Sequence, residues 1–286
     1  MSPNKLYSLS RLFVLWAILP VCFSTQILHA HDKLPPVAML SLGGGLASDD
    51  TGLADIGFML SALGGQSVSG RYSQFLQVDD YSLKTIDVGA QSTPGNLLSI
   101  RTAYRYQTNS DDLYIASING YTGLNGLAWY TELGIGLQTV RLYTISGIEP
   151  FTDFSDYMLS GRLGYRYADG SSISSSYEYY QYSVDMSQFV TMDVIERLSD
   201  SALSSAYSFV RDEWSLSGLK VTDWGGIGLD MSVSRSALDA EYFFRMTPSA
   251  LLYFSLFWEV DISVDLQTDQ SSNSSYGVNL SINRWF

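Results

Sequence analysis

Charged side chains make up 16% of this 286-residue chain, and those in its alternating segments gather on one side of each segment. They are Arg71, Asp87, Arg101, Arg105, Glu132, Arg162, Arg166, Glu178, Glu241, Arg245, Glu259 and Asp261. Set around water, opposed acidic and basic walls create a field that selects solutes by charge. Set close together, the same groups are structural ion pairs that fill space. Both uses stand open on sequence alone. Proton-transfer catalysis is poorly served, because the two histidines, His29 and His31, both lie near the start. No G-x-S-x-G elbow occurs, and "GGG" at 43–45 does not continue into a dinucleotide fingerprint. Adjacent carboxylates in "SDDTG", "VDD" and "NSDD" are of the type that hard cations take, but none has EF-hand spacing, and they read as solvated loop tips. The expectation is no catalytic residue, no metal centre and no cofactor.

Aiming so many charges one way requires elements with a two-residue period, which means strands. In "NLLSIRTAYRYQ", Leu98, Ile100, Thr102, Tyr104 and Tyr106 share one face, against Ser99, Arg101, Ala103, Arg105 and Gln107. In "DYMLSGRLGYRYA", Tyr157, Leu159, Leu163, Tyr165 and Tyr167 oppose Ser160, Arg162, Gly164 and Arg166. "ALLYFSLFWEVDI" sets Leu252, Phe254, Leu256, Trp258, Val260 and Ile262 against Tyr253, Ser255, Glu259 and Asp261. Runs of about ten residues match a tilted strand crossing a bilayer, whereas the mean strand of a soluble protein is nearer five or six.

Strands are expected at 37–47, 53–63, 67–78, 81–90, 96–107, 113–122, 128–143, 154–168 and 171–183. Five more are expected at 200–211, 214–222, 228–246, 250–262 and 276–286. Segment 228–246 switches its apolar face around Ser236, so it is one bulged strand or two short ones. Tight turns are expected at "QSTPG" (91–95), "TNSDD" (108–112), "ADG" (168–170) and "MTPS" (246–249). Longer polar stretches lie at 144–153, 184–199 and 263–275. The expected fold is all-β: a transmembrane, antiparallel up-and-down β-barrel of about 14 strands, with 12 as the rival count. The alternation then turns the charged set inward, since an arginine on the lipid face near mid-membrane costs about 2–4 kcal/mol.

The first residues add an address. Lys5 and Arg11 precede the apolar run "LFVLWAILPVCF", and "STQILHA" ends on the small Ala30. That order is a secretory signal peptide, 1–30, leaving 31–286 as one barrel domain. Cleavage removes the single cysteine and leaves 14 basic residues against 29 acidic, a formal charge of −15. The last strand carries Val278, Leu280, Ile282 and Phe286 on an apolar rhythm that runs to the final residue.

Signal segment, tyrosine-rich alternating strands and terminal aromatic together resemble a Gram-negative outer-membrane β-barrel protein of the porin-like class. The resemblance implies the outer membrane as location, and Val278, Leu280, Ile282 and Phe286 as a signal read by the barrel-assembly machinery. It implies outer-membrane lipid and lipopolysaccharide as surroundings, with no nucleic-acid partner. Arg284 departs from the usual apolar third-last position, and a rim location lets its long chain snorkel. The phospholipases, lipid A deacylases, palmitoyl transferases and omptin proteases of that class depend on a histidine, and here no histidine lies on an expected strand or outer loop. Two roles follow: a passive channel for small hydrophilic solutes with a cation bias from the negative charge, or a non-conducting surface barrel whose loops bind lipopolysaccharide, an envelope protein or a host molecule. In "VDMSQFVTMDVIERLS" (184–199), Phe189, Met192, Ile195 and Leu198 recur every third residue, as a short helix would show, and this outer loop either folds over or into the mouth or stands exposed.

Overall fold

A computed structural model describes residues 37–286 apart from 49–51, 63–64, 77–81, 94–96, 110–112, 144–149, 190–208, 256 and 271–273. The signal segment 1–30 lies outside the described residues, as do the central acidic residues of the three loop clusters. Fourteen strands follow one another: β1 (Val37–Ala47), β2 (Gly52–Ala62), β3 (Gln66–Leu76), β4 (Ser82–Ser92), β5 (Leu98–Asn109), β6 (Leu113–Asn125) and β7 (Trp129–Tyr143). Then come β8 (Pro150–Arg166), β9 (Ser172–Tyr182), β10 (Val210–Thr222), β11 (Gly225–Ser236), β12 (Tyr242–Ser255), β13 (Trp258–Asp269) and β14 (Ser274–Trp285). Each pairs antiparallel with its sequence neighbours, and β1 pairs with β14 to close the ring. The seam runs from Met39↔Trp285 to Ala47↔Gly277, and the Phe286 amide donates to the Ala38 carbonyl at 2.8 Å.

The outside of the ring is apolar. Leu42, Phe58, Val88, Leu133, Leu159 and Ile282 all expose side chains, from neighbouring positions around the barrel. So broad an apolar surface would be strongly disfavoured in water at about 25 cal/mol per Å²; hydrocarbon removes that penalty. Trp129, Tyr167, Tyr242, Phe244 and Trp258 stand exposed near strand ends, where aromatic side chains suit the lipid–water interface. Trp285 has the parity of the inner face and pairs with Met39. Arg284 points outward at the rim, with its guanidinium 5.1 Å from the Trp258 ring centre and 4.7 Å from that of Phe286.

The connections sort by end. At the end holding Val37 and Phe286 they are short, the shortest being 223–224 and 256–257. The one long excursion, 183–209, lies at the opposite end, called here the loop end. Turn 167–171 is tied to β10: the Lys220 ammonium donates to Asp169 Oδ2 at 2.7 Å and holds this carboxyl down to about 2.

Several boundaries differ from those expected, although the count of fourteen agrees. Expected strands 200–211 and 214–222 are replaced by the single β10; residues 200–208 lie outside the described set and the ring closes without them. Segment 228–246 is two strands, β11 and β12, with Ala240 in the left-handed region (φ 63°) of the turn between them. "MTPS" is not a turn but the middle of β12. Pro248 pairs with Leu229 of β11, while the β12–β13 ladder passes from Met246↔Leu266 to Ser249↔Ser263, skipping the position where an N–H is missing. Segment 250–262 is broken at 256–257, and 263–269, expected to be loop, belongs to β13. Polar stretch 144–153 shortens to 144–149 because Pro150 already opens β8.

Leu159, midway along β8 and exposed, tests which solvent lies outside. Leu159→Arg should destabilise the lipid-folded protein by about 2–4 kcal/mol. Arginine at the adjacent Ser160, which faces inward beside Glu178, should cost little. Denaturant titrations of both variants refolded into vesicles check this.

Candidate functional site

Inward-facing side chains are best followed from strand to strand. Arg71 pairs in register with Asp87, and Asp87 with Arg105, all on the inner face. Their ion pairs run along the wall between neighbours. Arg71 binds Asp55 of β2 at 2.9 Å, and Arg105 Nε binds Asp87 Oδ1 at 2.6 Å. Arg101 lies 4.1 Å from the centre of the Tyr121 ring and reaches past it to Glu132 at 2.8 Å. Arg245 binds Asp265 of β13 at 2.8 Å; the same carboxylate accepts from Thr247 Oγ1 at 2.6 Å and Asn279 Nδ2 at 2.7 Å. Glu259 accepts from Asn283 at 3.0 Å, and Glu178 from the Tyr180 hydroxyl at 2.7 Å.

Eleven of the twelve charged residues picked from the sequence therefore stand on the inner face. Glu241 does not: it sits in the turn 237–241 at the loop end, where its carbonyl accepts from Ser236 N at 2.9 Å. The sequence reading missed Asp55, Asp156, Glu213, Asp230 and Asp265, all of which carry inner-face parity. Every addition is an acid, so the interior is more acidic than the first set implied. Gly43 and Gly45 make part of this possible, for a Cβ there would meet the Asp55 carboxylate at 2.7 Å and collide with the Asn279 amide oxygen.

Charge is also sorted across the barrel. At the end holding the termini, Arg101, Arg162 and Arg166 lie on β5 and β8, and Arg166 stacks over Tyr130 at 4.7 Å. Glu259 and Asp261 lie on β13, which is seven strands from β6 in either direction round the ring. A basic wall thus faces an acidic one.

Because the pairs hug the wall, space remains inside. Four cavities of about 430, 600, 580 and 350 Å³ lie against these residues. Asp87 and Arg105 border the first two, Gln91 and Arg101 the second and third, and Asp55 and Arg71 the second and fourth. They are compartments of one lumen.

The loop end differs in kind. Phe75, Leu83, Ile115, Val140 and Phe154 occupy inner-face positions at the loop ends of five strands, and all are buried, Val140 completely. Met186 of the short 3₁₀ helix Met186–Phe189 joins them, with Phe209 and Leu238. Phe154, Tyr182 and Phe209 stack as a three-ring group with centroids 5.8–6.3 Å apart. Of segment 184–199, Met186 is buried in this cluster and Val184 packs against it, while Met192, Ile195 and Leu198 lie outside the described set. Among the described residues, no group of three His, Cys, Asp or Glu side chains is placed to hold a metal ion.

Asp265, with its side chain 5% exposed, is the most heavily engaged carboxylate of the lumen. Asp265→Ala should leave Arg245, Thr247 and Asn279 without their shared acceptor and cost roughly 1–3 kcal/mol. The denaturation midpoint of the refolded barrel measures it.

No family model matches the chain, and no curated protein matches it. Among solved structures, the barrel is similar to the CymD monoaromatic hydrocarbon channel, with TM-score 0.53 and 8% identity over 89% of both chains. It is similar also to a bacterial polysaccharide outer membrane secretin, with TM-score 0.50 and 8% identity, covering 87% of this chain and 98% of that one. At such identities the likeness is one of fold, and the fold is that of outer-membrane β-barrel proteins.

Proposed function

We propose that this chain is a non-enzymatic channel of the Gram-negative outer membrane, passing small hydrophilic solutes with a preference for cations. The observation that carries the reading is the lateral pairing of the inner charges, which leaves a polar lumen below the apolar cluster instead of filling it. The fold has a channel among its solved examples. Cation preference rests on the acidic excess of the wall, where Asp156, Glu178 and Glu213 form no salt bridge among the described residues. In this reading residues 1–30 are the cleaved signal, the apolar belt meets lipid and lipopolysaccharide, and Val278, Leu280, Ile282 and Phe286 are read during assembly.

The apolar cluster makes this a gated channel. A hydrophobic constriction in a water-filled pipe expels water and blocks ions without closing sterically. The same cluster is what favours the second reading, a non-conducting surface barrel, if it never opens.

Planar-bilayer recording of the refolded protein separates the two. The wild type should show rare openings with a cation-shifted reversal potential. Met186→Ala removes a buried side chain worth about 2 kcal/mol or more to the closed state, so the open-to-closed ratio should rise roughly tenfold or more. Absence of current from both folded proteins would sink the channel.

A further inference from the structure

The compartment directly beneath the apolar cluster is unlike the rest of the lumen. Its volume, about 430 Å³, falls in the range of sites that hold small organic ligands. Ile115 and Tyr182 give it an apolar roof that merges with the cluster above, and Met158 adds an apolar patch to its wall. On its wall stand Asp156, level with Tyr182 in the ladder, and, further from the loop end, Glu178 and Glu213, the three on the consecutive strands β8, β9 and β10.

Three features of these acids point to a missing cation. Asp156 is 1% exposed, lies beside Gln138 and Tyr182 in register, and its Oδ2 has no hydrogen-bond partner. Burying a carboxylate without a counter-charge is costly, and a positively charged ligand removes that cost. Glu178 and Glu213 are direct cross-strand partners, an opposition of like charges that is unfavourable unless something positive lies between or above them. The two arginines that border the compartment, Arg105 and Arg245, are engaged by Asp87 and Asp265. The acids are nevertheless too spread to chelate one metal ion. A bulkier cation suits that spread, with an ammonium group at the carboxylates and an apolar body against Met158 and Tyr182.

We infer that this chamber is a binding site for small amphipathic organic cations, primary or quaternary amines that carry an aryl or alkyl group. The inference rests on the lumen being open to solutes from the end holding the termini, and it names the class of solute that would dwell there. The apolar cluster is then both the gate and the surface against which the ligand packs.

Phenethylamine is a suitable probe, titrated by calorimetry into the folded barrel in detergent micelles. Phenylacetate and 2-phenylethanol serve as acidic and neutral controls of similar shape. Saturable binding of the amine alone is expected, weakened roughly tenfold or more by Asp156→Asn and by Glu213→Gln. Asp156→Asn keeps the side-chain volume and removes the buried carboxyl, so folding should survive, and the heat-dependent gel shift of the barrel verifies it. No saturable amine binding, equal binding of phenylacetate or 2-phenylethanol, or affinity indifferent to both substitutions would overturn the inference. Amine binding in a barrel that never conducts would refute the channel and spare the site. Currents without amine binding would do the reverse.

Discussion

A strand in hydrocarbon can place its backbone N–H and C=O groups nowhere but on another strand. Each unpaired group costs several kcal/mol there, so an edge is forbidden and the sheet must close. The β1–β14 seam, with the Phe286 amide on the Ala38 carbonyl, is where that requirement is met. Once the ring is shut, the two-residue period of each strand does the sorting. Leu133 and Leu159 are forced out, Glu132 and Arg162 are forced in, and away from the rims the interior becomes the place where a charge can stand.

Closure alone leaves open how interior charges satisfy one another. Pairing across the lumen would obstruct it, while pairing between adjacent strands keeps it clear. Register decides. Arg71, Asp87 and Arg105 are consecutive partners on β3, β4 and β5, so each finds its opposite charge one strand away without leaving the wall. The wall is not neutral everywhere, because Asp156, Glu178 and Glu213 follow one another on β8 to β10 with no arginine between them. The surplus charge is therefore local, and it sits beneath the apolar cluster.

Much of this was legible from alternation, and the failures have a geometric cause. Partners in the β12–β13 hairpin sum to an even number, as in Leu252↔Val260. Face parity thus survives the turn, and two strands read as the single segment 250–262. Partners in β11–β12 sum to an odd number, as in Met231↔Met246, so parity flips at the turn and appears as the face switch near Ser236. One merger was offset by the division of β10 into two, which is why fourteen emerged despite wrong boundaries. Glu213 was lost in that false division, and Asp265 in a stretch taken for loop. Asp156 and Asp230 lay on the correct face of strands already drawn and needed only the alternation carried one step further.

The apolar cluster had a sequence signal too, of a kind that single strands cannot disclose. Phe75, Leu83, Ile115, Val140 and Phe154 each break the polar rhythm of an inner face, and each break alone looks like noise. Their meaning comes from position: once the strands are aligned around the ring, all five fall at the loop end. A violation of local pattern that recurs at one level of a structure marks a site where another demand overrides the rule. Here the overriding demand is to exclude water. Five inward apolar side chains, capped by Met186, give the lumen a dry level at its loop end.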